Sequence, residues 1–311
     1  MPLKPDPIDV REIERRMAVL DEVFDLSTLS AHGNTSAKIR KYYEDSRLGY
    51  QHVHSKDGAM HMALNPDGRF DRAGYEGQSS LVAERLGPAT ADVLELACGN
   101  GYNLALLARR RPQVRFVGID LVAGQVERAN EILVSLDNAR AQVGDFQNIA
   151  MPDGSYDMAF VIESLCHATD LPQALGEVRR VLRPGGHLIV IDAWRTDSFD
   201  TLPSVVRQAA ENVERSMAVA NAQQLSVWRE AAADAGLRVI EDVDLTEQIV
   251  PNLERLANIA DERLLAHPVR IRIARMLLPD TLLLNAVAGY LMPLTVDVGA
   301  HTYRLVTLEK S

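Results

Sequence analysis

The sequence predicts a doubly wound α/β fold, a Rossmann-like, mostly parallel sheet covered by helices on both faces and carrying an α-helical cap. Three observations lead there. Between residues 93 and 192 short apolar runs alternate with helix-compatible segments, and parallel strands require such crossovers. The apolar runs are short, the first interrupted by a single acid, as expected for strands of a sheet covered on both faces. The stretch Val93-Leu-Glu-Leu-Ala-Cys-Gly-Asn-Gly101 reads as a strand, a glycine turn and a helix start. Unpaired N–H groups at such a helix start favour a polar or anionic ligand.

Each element has its own signal. Residues 9–25 carry Val10, Ile13, Met17, Leu20, Val23 and Phe24 at helical spacing, and a second helix starts near Thr35 with Ser or Thr as its cap. Residues 42–65 are rich in tyrosine and histidine without a clean period, and 69–86 return to helical spacing before Gly87-Pro88. Strands follow at 93–97, 114–119, 139–143, 156–162 and 187–192, with helices at 103–110, 123–136 and 171–182 and a turn Arg183-Pro-Gly-Gly186. Residues 201–236 read as helices, 237–244 as a strand after a glycine cap, 253–293 as a long Leu-rich helical segment, and 296–309 as a last strand. The organisation is therefore an N-terminal helical segment (1–88) forming part of a substrate cap, an α/β core (89–195), a helical cap (196–295) holding one core strand, and a final core strand (296–311).

Composition narrows the class of function. At 47% hydrophobic and 24% charged, the 311 residues suit a soluble globular chain with a sizeable core. A net charge of −10 argues against nucleic acid or an anionic membrane as the main partner. Cys98 and Cys166 form no disulfide framework and no zinc spacing, which suits a reducing cytoplasm, and the polar, Pro-rich start is unlike a signal peptide. The apolar run 281–292, bracketed by Pro279 and Pro293, is shorter than the ~20 residues a bilayer crossing needs. His52, His54 and His61 lack a standard metal-ligand spacing, so no metal is expected.

The glycine turn lacks a dinucleotide fingerprint, because Leu104 stands where a third glycine belongs. What remains is an acid before the turn (Glu95), Gly99 and Gly101 within it, and Asp120 at the end of the next strand. A carboxylate there can accept from both ribose hydroxyls, and Glu95 suits a cation better than a pyrophosphate. The expected ligand is a nucleoside with a positive group.

These residues resemble the first motif of the class I S-adenosylmethionine-dependent methyltransferases, and the resemblance extends from Val93 to Asp192 through Gly144-Asp145-Phe146, Met151-Pro-Asp-Gly-Ser-Tyr-Asp157 and Leu182-Arg-Pro-Gly-Gly186. It implies S-adenosylmethionine as cofactor, with Asp120 and the adjoining Leu121 at the ribose and Asp145 and Phe146 at the adenine. Glu163 and His167, four residues apart, resemble the branch of sterol and tocopherol C-methyltransferases, and Tyr42, Tyr43 and Tyr50 loosely resemble the aromatic signature of sterol methyltransferases. That signature departs here to Tyr50-Gln-His-Val-His-Ser55.

Methylating an alkene carbon creates a cation that needs aromatic faces or a carboxylate, and a base for the leaving proton. Glu163, Tyr43 and Tyr50 are the candidates for that work. His167 would instead serve an O- or N-methyltransferase as general base; a non-catalytic, cofactor-binding scaffold is the further alternative. The expected partner is a small lipophilic, isoprenoid-like or natural-product acceptor, and His52, His54, Lys56, Arg40 and Lys41 would face a diphosphate if it carried one. The Leu-rich segment 264–294 fits an acceptor lid, a homodimer interface or plain core.

Overall fold

In the computed structural model, which describes residues 10–22, 24, 26, 35–49, 55–265, 273, 276–277 and 280–311, seven strands form one sheet in the order β3-β2-β1-β4-β5-β7-β6. The strands are β1 (Asp92–Leu96), β2 (Arg115–Asp120), β3 (Ala139–Val143), β4 (Tyr156–Ile162), β5 (Leu182–Arg195), β6 (Leu237–Asp244) and β7 (His301–Lys310). The first five are parallel; β7 runs antiparallel between β5 and β6. Chain order reverses between β1 and β4, so the loops at the carboxyl ends of these strands open a crevice there, the usual ligand position in an open α/β sheet.

The helices are α1 (Val10–Asp21), α2 (Ser36–Gly49), α3 (Gly77–Glu84), α4 (Tyr102–Arg110), α5 (Ala123–Leu133), α6 (Leu171–Val181), α7 (Ser204–Ser216), α8 (Leu225–Asp234), α9 (Thr246–Ala260) and α10 (Asp280–Asp297). Two apolar layers sandwich the sheet. In β1, Val93 packs with α3, α4 and α5, while Leu94 and Leu96 face α6 and α8, the period-two alternation of a strand buried on both sides. A third cluster lies beyond the sheet, where Ile13 and Leu20 of α1 meet Val206, Ala209, Ala210 and Val213 of α7 and Val287 and Leu291 of α10.

The structure corrects several boundaries for local reasons. Residues 69–86 are not one helix. Asp71 accepts from the Ala73 N–H and starts a 3-10 turn, Arg72–Glu76, before α3. Glycine is required within that turn, because a Cβ on Gly74 would lie 2.5 Å from the Leu64 carbonyl oxygen. Within the Leu-rich segment, α9 passes after Ala260 into a π turn, Asp261–Leu265, and α10 runs from Asp280 through Asp297. The last strand consequently starts at His301 rather than 296, after Gly299 takes φ +74°. β5 begins five residues early, at Leu182, with a register shift that absorbs the Pro-Gly-Gly turn. No helix of the described residues is long and apolar enough to cross a membrane.

Candidate active site

The first of two adjoining cavities opens over the carboxyl ends of β1–β4, a space of about 960 Å³ that includes its solvent-open mouth. Its floor is the β1–α4 turn. Ala97, Gly99 and Gly101 adopt φ of +51°, +54° and +80°, which bends the chain sharply into α4, and the left-handed conformation costs least at glycine. Asp120, at the end of β2, ties that turn to the next one: Oδ2 accepts from the Gly99 N–H at 2.9 Å and Oδ1 from the Val122 N–H at 2.8 Å. Each carboxylate oxygen keeps a further lone pair, and Asp120 with Leu121 lines the cavity. Asp145 and Phe146 line it beyond β3, where Asp145 Oδ1 accepts from the Gln147 N–H at 2.8 Å.

The second cavity, about 900 Å³, lies under the helical layer. Its wall is mostly apolar: Met60, Met62, Trp194, Val213 and Met217 line it with Ile249, Leu253 and Met292. Helices α2, α7, α9 and α10 each contribute to it. Four residues line both cavities: Tyr43, Met60, Glu163 and His167. Glu163 is the one carboxyl group among these four.

Glu163 follows β4 with φ +47°, a costly conformation for a residue with a Cβ, and such strain concentrates at functional positions. Its Oε1 accepts from the Met62 N–H at 2.8 Å and from the Tyr303 hydroxyl at 2.7 Å. Burial outweighs these donors and, with the neighbouring Asp192, pushes the carboxyl up to about 7. Asp192, also lining the second cavity, is pushed up to about 6 by burial. A carboxyl poised near neutrality exchanges protons readily at physiological pH.

His167 is buried, which lowers its pKa and keeps the ring neutral. Its Nδ1–H donates to the Ala218 carbonyl at 3.0 Å, because a carbonyl only accepts. Nε2 is therefore the acceptor for the Tyr43 hydroxyl, 2.7 Å away. Tyr50, His52 and His54 lie outside the described residues.

Residues 89–257 match the model of the family described as "Methyltransferase domain". The chain belongs to the class I S-adenosylmethionine-dependent methyltransferases. It is 31% identical over 211 residues to an O-methyltransferase of Pyrenophora dematioidea, covering 67% of this chain and 75% of that one. It is 29% identical over 174 residues to a sterol 24-C-methyltransferase of Eremothecium gossypii, covering 55% of this chain and 46% of that one, so this match spans about half the length of the curated relative. Among solved structures, the geranyl diphosphate C-methyltransferase of Streptomyces coelicolor A3(2), in complex with Mg²⁺, geranyl diphosphate and S-adenosyl-L-homocysteine, superposes with a TM-score of 0.66 at 20% identity, covering 89% of this chain and 97% of that one.

The first cavity of this methyltransferase suits a cofactor bearing a ribose and an aromatic base: acceptor oxygens at Asp120, backbone at Gly99, and the Phe146 ring beside Asp145 all face it. Two sequence-picked residues sit elsewhere. Glu95 lies beneath the turn, 2% exposed, and accepts from Asn103 Nδ2 at 3.1 Å. Burial raises its carboxyl well above the usual range, and the side chain shores up α4 through Asn103 and lines neither cavity. Gly101 is packed against α5, where a Cβ would fall 2.9 Å from the Ala129 Cβ. The two residues shape the turn from below.

Sequence reasoning missed the strap formed by residues 58–65. Asn100 Nδ2 donates to the Gly58 carbonyl at 2.8 Å, His61 bonds to Asn103 Oδ1 at 3.2 Å, and Asn252 Oδ1 accepts from the Ala63 N–H at 2.7 Å. The strap thereby lays Met60 across the mouth of the glycine turn and Met62 against Glu163. Burial lowers the His61 pKa, so this histidine is a neutral strut. Tyr303 and Gln78 were missed too. Gln78 Nε2 donates to the Met62 carbonyl at 2.6 Å and to the Tyr303 hydroxyl oxygen at 3.1 Å, closing a ring of hydrogen bonds around Glu163. Lys41 pairs with Asp45 four residues along α2, Lys56 is exposed, and Arg40 lines the first cavity. Among the described residues no group of three His, Cys, Asp or Glu side chains is placed to hold a metal ion.

Proposed function

We propose that the enzyme methylates an alkene carbon of a small lipophilic acceptor bound in the second cavity, with the α1, α2, α7, α9 and α10 layer as its cap. The observation that carries this reading is the Glu163 carboxyl, standing where the two cavities meet. The cofactor supplies an electrophilic methyl group on a sulfonium. Asp120 holds the ribose, Leu121 borders it, Asp145 and Phe146 position the adenine, and the Gly99 turn allows close approach of the backbone. Adding a methyl to one alkene carbon leaves a cation on its neighbour. The Glu163 carboxylate opposes that charge and the Tyr43 ring offers a π face. Oε1 is held by Met62 and Tyr303, so Oε2 takes the proton whose loss restores the double bond.

A second reading has its own observation. The His167 Nε2 lone pair already accepts a hydroxyl proton from Tyr43 at 2.7 Å. An acceptor hydroxyl in that place would be deprotonated for O-methylation, the activity named for the Pyrenophora relative.

Methyl-¹³C-labelled S-adenosylmethionine, incubated with the protein and a panel of alkene-bearing isoprenoid alcohols, separates these outcomes by product NMR. The expected product carries the label on carbon, one alkene hydrogen lost for each methyl gained. Label found only on oxygen favours the His167 reading. Binding of the cofactor without turnover on any acceptor would make the chain a scaffold and reject both.

A further inference from the structure

The apolar wall of the second cavity is interrupted by a charged cluster that the methyl-transfer reading does not use. Arg195, at the end of β5, donates to Glu214 of α7 through Nε at 2.7 Å and through Nη2 at 2.5 Å. His301, paired with Arg195 across the β5–β7 ladder, donates through Nε2 to Glu214 Oε1 at 3.1 Å and meets Thr295 Oγ1 with Nδ1 at 3.1 Å. All three line the cavity. Their side chains are 22%, 10% and 10% exposed for Arg195, Glu214 and His301. Burying such a pair in apolar surroundings contributes little net stability, because desolvation offsets the attraction.

The cluster keeps hydrogen-bonding capacity. The Arg195 guanidinium spends Nε and Nη2 on Glu214 and lies over the Phe199 ring at 4.1 Å, while Nη1 makes no hydrogen bond to the described residues. Asn221 lines the same cavity; its backbone N–H donates to the Cys166 carbonyl, and its side-chain amide has no hydrogen bond among the described residues. Position and charge then restrict the ligand. His301 precedes Tyr303 by two residues on β7 and so shares its face, roughly 7 Å further along the strand. Tyr303 touches Glu163. The cluster is thus about one pleat away from the reacting end. The Arg195 charge is matched by Glu214, which leaves polarity without a net cation to hold a diphosphate.

We propose that Arg195, Glu214, His301 and Asn221 form a subsite for an uncharged oxygen function of the acceptor, a hydroxyl or carbonyl, which fixes how far from that oxygen the methyl is delivered. This rests on the methyl-transfer reading and deepens it. A hydroxyl donates to Glu214 while its oxygen accepts from Arg195 Nη1 and the Asn221 amide. A carbonyl uses the two donors alone.

The test uses the full chain saturated with S-adenosylhomocysteine, and Trp194, which lines the cavity against Trp228, as fluorescent reporter. The probes are farnesol, farnesene and farnesyl diphosphate. The alcohol is expected to bind about tenfold tighter than the hydrocarbon, one buried hydrogen bond's worth, and tighter than the diphosphate. Asn221→Ala should bring alcohol and hydrocarbon to within about threefold of each other, with S-adenosylhomocysteine affinity unchanged. Glu214→Gln frees the Arg195 charge and should shift preference toward the diphosphate by about tenfold or more, a gain that a purely structural ion pair does not produce. Equal binding of alcohol and hydrocarbon, tightest binding of the diphosphate by the unaltered protein, binding of none of the three, or variants with unchanged preference each overturn the subsite. Failure to bind S-adenosylhomocysteine would instead overturn the methyl-transfer reading beneath it.

Discussion

Replacing Asp120 with alanine is expected to lower affinity for S-adenosylmethionine about 10²–10³-fold in calorimetry, the sum of two hydrogen bonds to a charged acceptor. The loss has two sources. One is direct, since the proposed ribose partner disappears. The other works through the turn: Asp120 accepts from the Gly99 and Val122 N–H groups, and without it both loops at the crevice lose a shared tether. Asp120→Asn separates the two, because its single carbonyl oxygen keeps part of the acceptor capacity. It should lose less affinity than the alanine variant while folding normally by circular dichroism. Undiminished affinity in Asp120→Ala would remove the ribose assignment.

Glu163→Gln is expected to cut kcat about 10²–10⁴-fold, the span typical of a lost general base, with cofactor affinity little changed. The pH profile carries the sign. With the carboxyl pushed up to about 7, the working carboxylate forms as pH rises, so wild-type kcat should climb through about 7 and then level off. Asp192, Tyr303, Cys166 and His167 face the same space, and Asp192, pushed up to about 6, becomes charged just below that limb, which holds the Glu163 limb up and broadens it. The Gln variant should lack the limb. Stability moves the opposite way. A carboxyl raised in the folded state binds more protons there than when unfolded, so its contribution is complete below the ordinary carboxyl range and is lost as pH rises through about 7. Glu163→Gln should therefore melt higher than wild type above pH 7, an advantage that vanishes at low pH. The Glu163 carboxyl is held at some expense to the fold.

Much of this was legible in the sequence because it is local. Short apolar runs alternating with helical segments announced parallel strands, and the acids and glycines around 95–101, 120 and 145 occupy strand ends that one chain segment determines. Glu163 could be found for the same reason. What escaped was non-local. Tyr303 reaches Glu163 from 140 residues away through an antiparallel strand whose register no pattern reveals. Gln78 and Asn252 look like ordinary polar positions on helices until the strap at 58–65 packs across them. Glu95 was read as facing the ligand because proximity in sequence to the turn says nothing about which side of the sheet a side chain takes. Strand parity settles it: Glu95 shares the face of Val93, below the turn, where Asn103 meets it. The Leu-rich segment hid the π turn that follows α9, since apolar composition alone does not mark where an α-helix changes its winding.

In the proposed arrangement the cofactor fills the first cavity and presents its reactive end to Glu163 at the junction with the second. A crystal structure with S-adenosylhomocysteine bound tests this most directly. The ribose hydroxyls should lie on Asp120, the adenine beside Asp145 and Phe146, and the sulfur should face the wall shared by Met60, Glu163 and His167, with an open path into the second cavity. A ribose away from Asp120, or a sulfur screened from Glu163 by the protein chain, would contradict it.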